Sequence, residues 1–228
     1  MHASPFFTAL ERSISFTRLE AYRDGGTKKD GLCRYFWNMA ICESLYPSFQ
    51  VLEVAYRNAV HLELGKLYAA AGASEQWLSA SGFGLQPAEK EVVSAAADAV
   101  KTRGKLVTEG LLVAELNFGF WTSLLDTRYD RIWPKIIKGV FPKMPNSDRT
   151  RAKASVRLNL IRRFRNAALH HHSIWHWSDI VQQHSNLHEA IGWICPSAEK
   201  IIKSVDRFPT IHSAGHSAFL TNIESISN

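Results

Sequence analysis

The 228-residue chain has only three cysteines, Cys33, Cys42 and Cys195, and none belongs to a CxxC pair. An odd, scattered set excludes both a disulfide framework and a zinc ribbon. No apolar run reaches the roughly 18 residues that a membrane helix needs. The most apolar stretch, Leu111 to Trp121, is interrupted by Glu115 and Asn117. No secretory signal opens the chain, so a reducing cytosol is the expected compartment. Alternating strand patterns are scarce, which argues against a β-rich fold. No tandem repeat of constant period is visible. Acidic residues are missing altogether between Arg149 and Arg165.

What is present is helical periodicity. Apolar positions recur at three- and four-residue intervals in most segments, so an all-α fold is expected. A first helix is predicted over residues 5–22, stopped by Asp24-Gly25-Gly26. A second should run from Gly31 to Leu45 and end before Pro47, with a third starting near Ser48. A loop from about Ala70 to Gln86 contains Trp77. Pro87 suits the first turn of a helix through Lys101. Thr108 reads as the N-cap of a helix reaching Leu125, and Trp133-Pro134 opens a short one. Ser147 or Asp148 should cap a long basic helix ending at His170, His171 and His172. Helices near 177–193 and 198–205 follow. Residues 1–207 are expected to form one domain, with 208–228 a loosely ordered tail. The aromatics Trp37, Phe118, Phe120 and Trp121 read as core.

The net charge of +6 and a pI near 9.3 suit a polyanionic partner. The charge is concentrated: Arg149, Arg151, Lys153, Arg157, Arg162, Arg163 and Arg165 follow Asp148 without an acidic residue between them. These residues are candidates for RNA binding, and a plain solvated helix face is the other reading. On the same helix Leu158, Ile161, Phe164 and Ala168 form the core-facing stripe.

Arg165, Asn166 and His170 form a set suited to cutting RNA. RNA carries its own nucleophile, the 2′-hydroxyl, so no metal-generated hydroxide is needed. A histidine, with an ordinary pKa of about 6.5, moves the protons. An arginine fork stabilises charge on the phosphate, and the asparagine orients the histidine or holds an oxygen. The products would be a 2′,3′-cyclic phosphate and a 5′-hydroxyl. A structural reading stands beside this one, with Arg165 paired to a buried carboxylate and His170 capping the helix C-terminus. On an ideal helix the two residues point about 140° apart, so a frayed end or two sides of one cleft must bring them together.

Five stretches in order carry a family likeness: Phe16-Thr-Arg-Leu-Glu-Ala-Tyr22, Arg34-Tyr-Phe-Trp-Asn38, Leu52-Glu-Val-Ala-Tyr-Arg-Asn58, Ala114-Glu-Leu-Asn-Phe-Gly-Phe-Trp121, and Ile161-Arg-Arg-Phe-Arg-Asn166 with His170-His171. In these the chain resembles the Abi-like family of bacterial abortive-infection proteins, within the HEPN superfamily of helical ribonucleases. The resemblance implies a HEPN-like helical bundle with additional helices and a toxin-like, metal-independent endoribonuclease acting in phage defence. It implies an Arg-x(4–6)-His site, here Arg165 and Asn166 with His170. His171 and His172 also satisfy the spacing. It further implies a homodimer with two facing motifs, RNA as substrate, no cofactor, and restraint by an inhibitory RNA or protein antitoxin. A non-catalytic RNA-binding protein of the same fold and a helical scaffold are the alternatives.

Other candidates read as structural. Arg57 is expected to be a buried arginine paired with Glu53 or Glu115, contact with substrate being the other reading. His172 and His176 have ligand spacing without a Cys or carboxylate nearby, so no metal is expected there. His184 and His188 read as an exposed helix face.

Overall fold

The computed structural model describes residues 5–72, 76–78 and 84–227. Among the described residues every regular element is a helix, so the protein is all-α. No helix among them is long and apolar enough to cross a membrane. The predicted loop between Ala70 and Gln86 lies partly outside the described residues; Trp77 within it is buried, and its indole N–H donates to His61 Nδ1 at 2.9 Å.

The N-terminal helix is not uniform. Helix α1 (Pro5–Leu10) passes into a π-helical turn (Glu11–Ser15) and then α2 (Phe16–Ala21). Ser15 has φ of 81°, and its hydroxyl accepts the backbone N–H of Arg18 at 3.2 Å, so the chain restarts as a newly capped helix. Asp24 and Gly25 then turn with positive φ, as the Asp-Gly-Gly signal predicts.

Helix α3 (Lys28–Ala70) replaces the two helices expected either side of Pro47. Proline removes one backbone donor and costs about 3 kcal/mol inside a helix. Against that, Trp37, Ile41, Leu45, Phe49, Leu52 and Tyr56 are all buried at intervals of three or four. That stripe keeps one phase through Pro47, and each fully buried member contributes about 1.5–3 kcal/mol. The stripe outweighs the proline.

Helix α4 (Pro87–Thr102) begins at its proline. The next segment splits into α5 (Glu109–Glu115) and α6 (Phe118–Ser123), where one helix was expected. Thr108 caps the first, and Asn117 caps the second by accepting the N–H of Phe120 at 3.0 Å. Helix α7 (Trp133–Val140) is followed by the basic helix α8 (Arg151–Leu169), then α9 (Ile180–Ile194) and α10 (Pro196–Ser204). Thr150 rather than Ser147 or Asp148 caps α8, its hydroxyl accepting the N–H of Lys153 at 3.3 Å. The expected loose tail is instead helical: α11 (Phe208–Ala214), a 3-10 turn (His216–Phe219) and α12 (Leu220–Ser227), with Phe208 and Ile223 buried.

The chain divides into two compact units, where one domain was expected. The first takes the chain up to Ser48, Phe164–His184, and the chain from Ser204 onward. Its core includes Leu32, Cys33 and Ile223, flanked by Phe7, Phe36 and Leu220, which is why the tail is ordered. The second takes Phe49–Arg163 and Ser185–Lys203. There Tyr56 and Trp133 both stack on Phe141, and the Tyr56 hydroxyl donates to the Trp121 carbonyl at 3.1 Å. Buried Glu89 accepts from the Tyr129 hydroxyl and from Arg128, each at 2.8 Å.

Candidate active site

Helix α8 ends on a left-handed residue. The N–H of His170 still reaches the Asn166 carbonyl at 2.9 Å, but that of His172 reaches back to Ala167 at 3.0 Å. Between them His171 has φ of 61°. This is a Schellman turn with histidine where glycine is usual. The chain leaves the helix at His170, so the azimuth of an ideal helix no longer governs where the histidine rings point.

The turn is held by side chains from the N-terminal segments. Asn38, 3% exposed on α3, accepts the N–H groups of Ile174 at 2.8 Å and Trp175 at 3.1 Å. Its amide nitrogen donates to the His172 carbonyl at 3.2 Å. Arg18 of α2 donates to the His171 carbonyl. Arg34 donates to the Tyr22 and Arg23 carbonyls, with its guanidinium 5.6 Å from the centre of the Trp175 ring. A buried amide that satisfies three backbone groups fixes the path of the chain after the helix.

Beside this turn the first unit contains a cleft of about 800 Å³. One side is a stripe of α3 that includes Tyr35, Asn38, Met39 and Cys42; Arg18 and Tyr22 come from α2 and its end, and Leu169 and His171 from the end of α8. The Arg18 guanidinium lies 5.9 Å from the centre of the Tyr35 ring, within cation–π range. Tyr22 meets Tyr35 edge-on at 5.2 Å. Burial pushes the Tyr22 hydroxyl up to about 12 and the Cys42 thiol up to about 11, so both keep their protons at neutral pH. At the rim Arg207 pairs with Glu43 at 2.8 Å.

Of the sequence-predicted site residues, His171 lines this cleft. Among the described residues the lining does not include Arg165, Asn166 or His170. Arg165 is half-buried and donates to the Asn166 side-chain oxygen at 3.3 Å. His170 and His172 are exposed.

The basic run is more engaged than its composition suggests. Arg151 pairs with Asp130, Lys153 with Asp148, and Arg157 with Glu189 while stacking 4.8 Å over Trp193. Arg149 donates to the Met144 and Pro142 carbonyls, and Arg162 to the Asn159 side chain at 3.3 Å. Arg163 is exposed. Two carboxylates distant in sequence, Asp130 and Glu189, and the neighbouring Asp148 therefore neutralise three of these charges locally.

Two other expectations change. Glu115 binds Arg103, not Arg57, and the pairing holds the Glu115 carboxyl below its usual range. His188 is buried, and His184 lies 2.9 Å from the Asp206 carboxylate, so neither belongs to an exposed face. The sequence reading missed Arg18, Tyr22 and Asn38 as functional candidates. The signal was present, because all three fall in the stretches Phe16–Tyr22 and Arg34–Asn38 that carry the family likeness. No protein-family model, curated protein or solved structure matches this chain.

Proposed function

We propose that the protein is a metal-independent endoribonuclease of the abortive-infection type. One observation carries this reading: three of the five stretches that resemble the Abi-like family meet at one cleft. They supply Arg18 and Tyr22, Tyr35 and Asn38, and His171. Arg165-x5-His171 satisfies the family spacing as well as Arg165-x4-His170 does, and the cleft favours His171.

The chemistry assigned to this site follows from its residue types. His171 accepts the proton of the 2′-hydroxyl as that oxygen attacks the neighbouring phosphorus. Arg165, which does not line the cleft, takes the role that the family signature gives it, stabilising the charge gathering on the phosphate, and its guanidinium donates to the Asn166 side-chain oxygen. The bond to the 5′-oxygen breaks, and that oxygen takes up a proton. A second copy of the chain would bring a second histidine, so that one ring serves as base and another as acid.

The test is cleavage of single-stranded RNA by the full chain in EDTA. Cleavage with 2′,3′-cyclic phosphate products, abolished by Arg165→Ala and His171→Ala, is the expected result. Undiminished cleavage by Arg165→Ala overturns the assignment. Salt-sensitive RNA binding with no cleavage would establish the non-catalytic alternative instead.

A further inference from the structure

We infer that the cleft of the first unit is a base-recognition pocket, holding one unstacked nucleotide of a single-stranded RNA beside His171. This inference rests on the nuclease reading and adds what that reading leaves open, the feature of the substrate that is selected.

The argument starts from Tyr22. Its side chain is 2% exposed and lines the cleft, and among the described residues its hydroxyl has no hydrogen-bond partner. A buried hydroxyl left unsatisfied costs stability, and such groups in native proteins need an explanation. The hydroxyl is closed off from solvent, so a ligand in the cleft supplies that partner once the Tyr22 ring turns towards it. The hydroxyl keeps its proton at neutral pH, so it can donate to a carbonyl or ring nitrogen as well as accept from an amino group.

The rest of the lining suits a base. Ile14, Tyr35, Met39, Cys42 and Leu169 present apolar or aromatic surface, while Arg18 and His171 supply donors at the helix-end side. A nucleotide has this division, with a flat apolar face, a polar edge and an anionic phosphate. The volume of about 800 Å³ falls within the range of small-ligand sites. A base in a duplex cannot enter such a pocket, whereas an unstacked one can be read on its edge. The phosphate belongs at the Arg18 and His171 end, because the other guanidinium of the lining, Arg207, is already paired with Glu43.

The test separates binding from chemistry by using short single-stranded oligonucleotides with 2′-O-methyl riboses, one for each base, which lack the nucleophile. Fluorescence anisotropy with the full chain should show one base preferred. Tyr22→Phe keeps the ring, removes the unpartnered hydroxyl, and should reduce that preference by about five- to tenfold without lowering Tm. Met39 is 49% exposed, so Met39→Asp should fold normally. It should weaken binding of every oligonucleotide by placing a carboxylate in the cleft. Equal affinity for the four bases, or wild-type binding by both variants of a chain that still cleaves RNA, overturns the pocket and leaves the nuclease standing. A wild-type chain that neither binds nor cleaves RNA overturns both.

Discussion

The side-chain oxygen of Asn38 accepts the backbone N–H of Ile174 at 2.8 Å, although the two residues lie 136 positions apart. The same oxygen serves Trp175, and the amide nitrogen serves the His172 carbonyl. One buried side chain therefore stands in for the backbone partners that an irregular segment would otherwise lack.

Asn38→Leu should consequently destabilise the protein by about 1–3 kcal/mol, because it leaves buried N–H groups unsatisfied. Denaturant unfolding measures this. A loss of under about 0.5 kcal/mol, the level of an ordinary surface change, would show that the amide is dispensable.

His171→Gly separates fold from chemistry. With φ of 61° the position suits glycine, so the variant should be as stable as the parent or gain up to about 1 kcal/mol. Under the nuclease reading it should lose cleavage by about 10²–10⁴-fold, while His170→Gln loses far less. A His171→Gly chain with full activity would return the assignment to His170 or His172.

Alkaline unfolding should follow Tyr22 and Tyr129. Burial raises both from 10.0 to about 12. For Tyr129, the hydrogen bond from the Gln86 N–H and the neighbouring Arg128 act against that rise, and Glu89 adds to it. The unfolded chain ionises first, so this stability is complete below pH 10 and is lost as pH rises towards 12. Stability measured across that window should fall, and Tyr22→Phe should make the fall shallower. An unchanged slope in that variant would remove Tyr22 as a contributor.

Pro47→Ala tests the account of α3. It restores one backbone donor inside a continuous helix and should stabilise the protein by about 1–3 kcal/mol. Destabilisation would mean that the chain depends on the proline at this point.

What the sequence could reveal depended on where the deciding contact lay. Pro87, Thr108 and the Asp24-Gly25 turn carry their own local chemistry, and each boundary was legible. Pro47 misled because a single-residue rule was weighed without the buried stripe running through it. Asn117 was hidden inside an apolar string, where its capping role shows only in the bond to Phe120. In the tail, Phe208 and Ile223 are few among polar neighbours, so their anchoring of three short helical pieces left little pattern. The charge run looked free because Asp130 and Glu189 lie 21 and 32 positions from the arginines they bind. For the proposed site, spacing offered Arg165 with three histidines. Which of them lines the cleft was not legible, since it depends on a left-handed turn at a residue other than glycine.

Arg18 reaches the carbonyl of His171, and Asn38 touches only main-chain groups of residues 172, 174 and 175. These contacts are indifferent to which side chains that loop carries. Any residue that tolerates a left-handed backbone at 171 would keep the same mounting. Variants that keep the arginine and asparagine are thus free to exchange the group presented to the cleft, altering it without rebuilding its support.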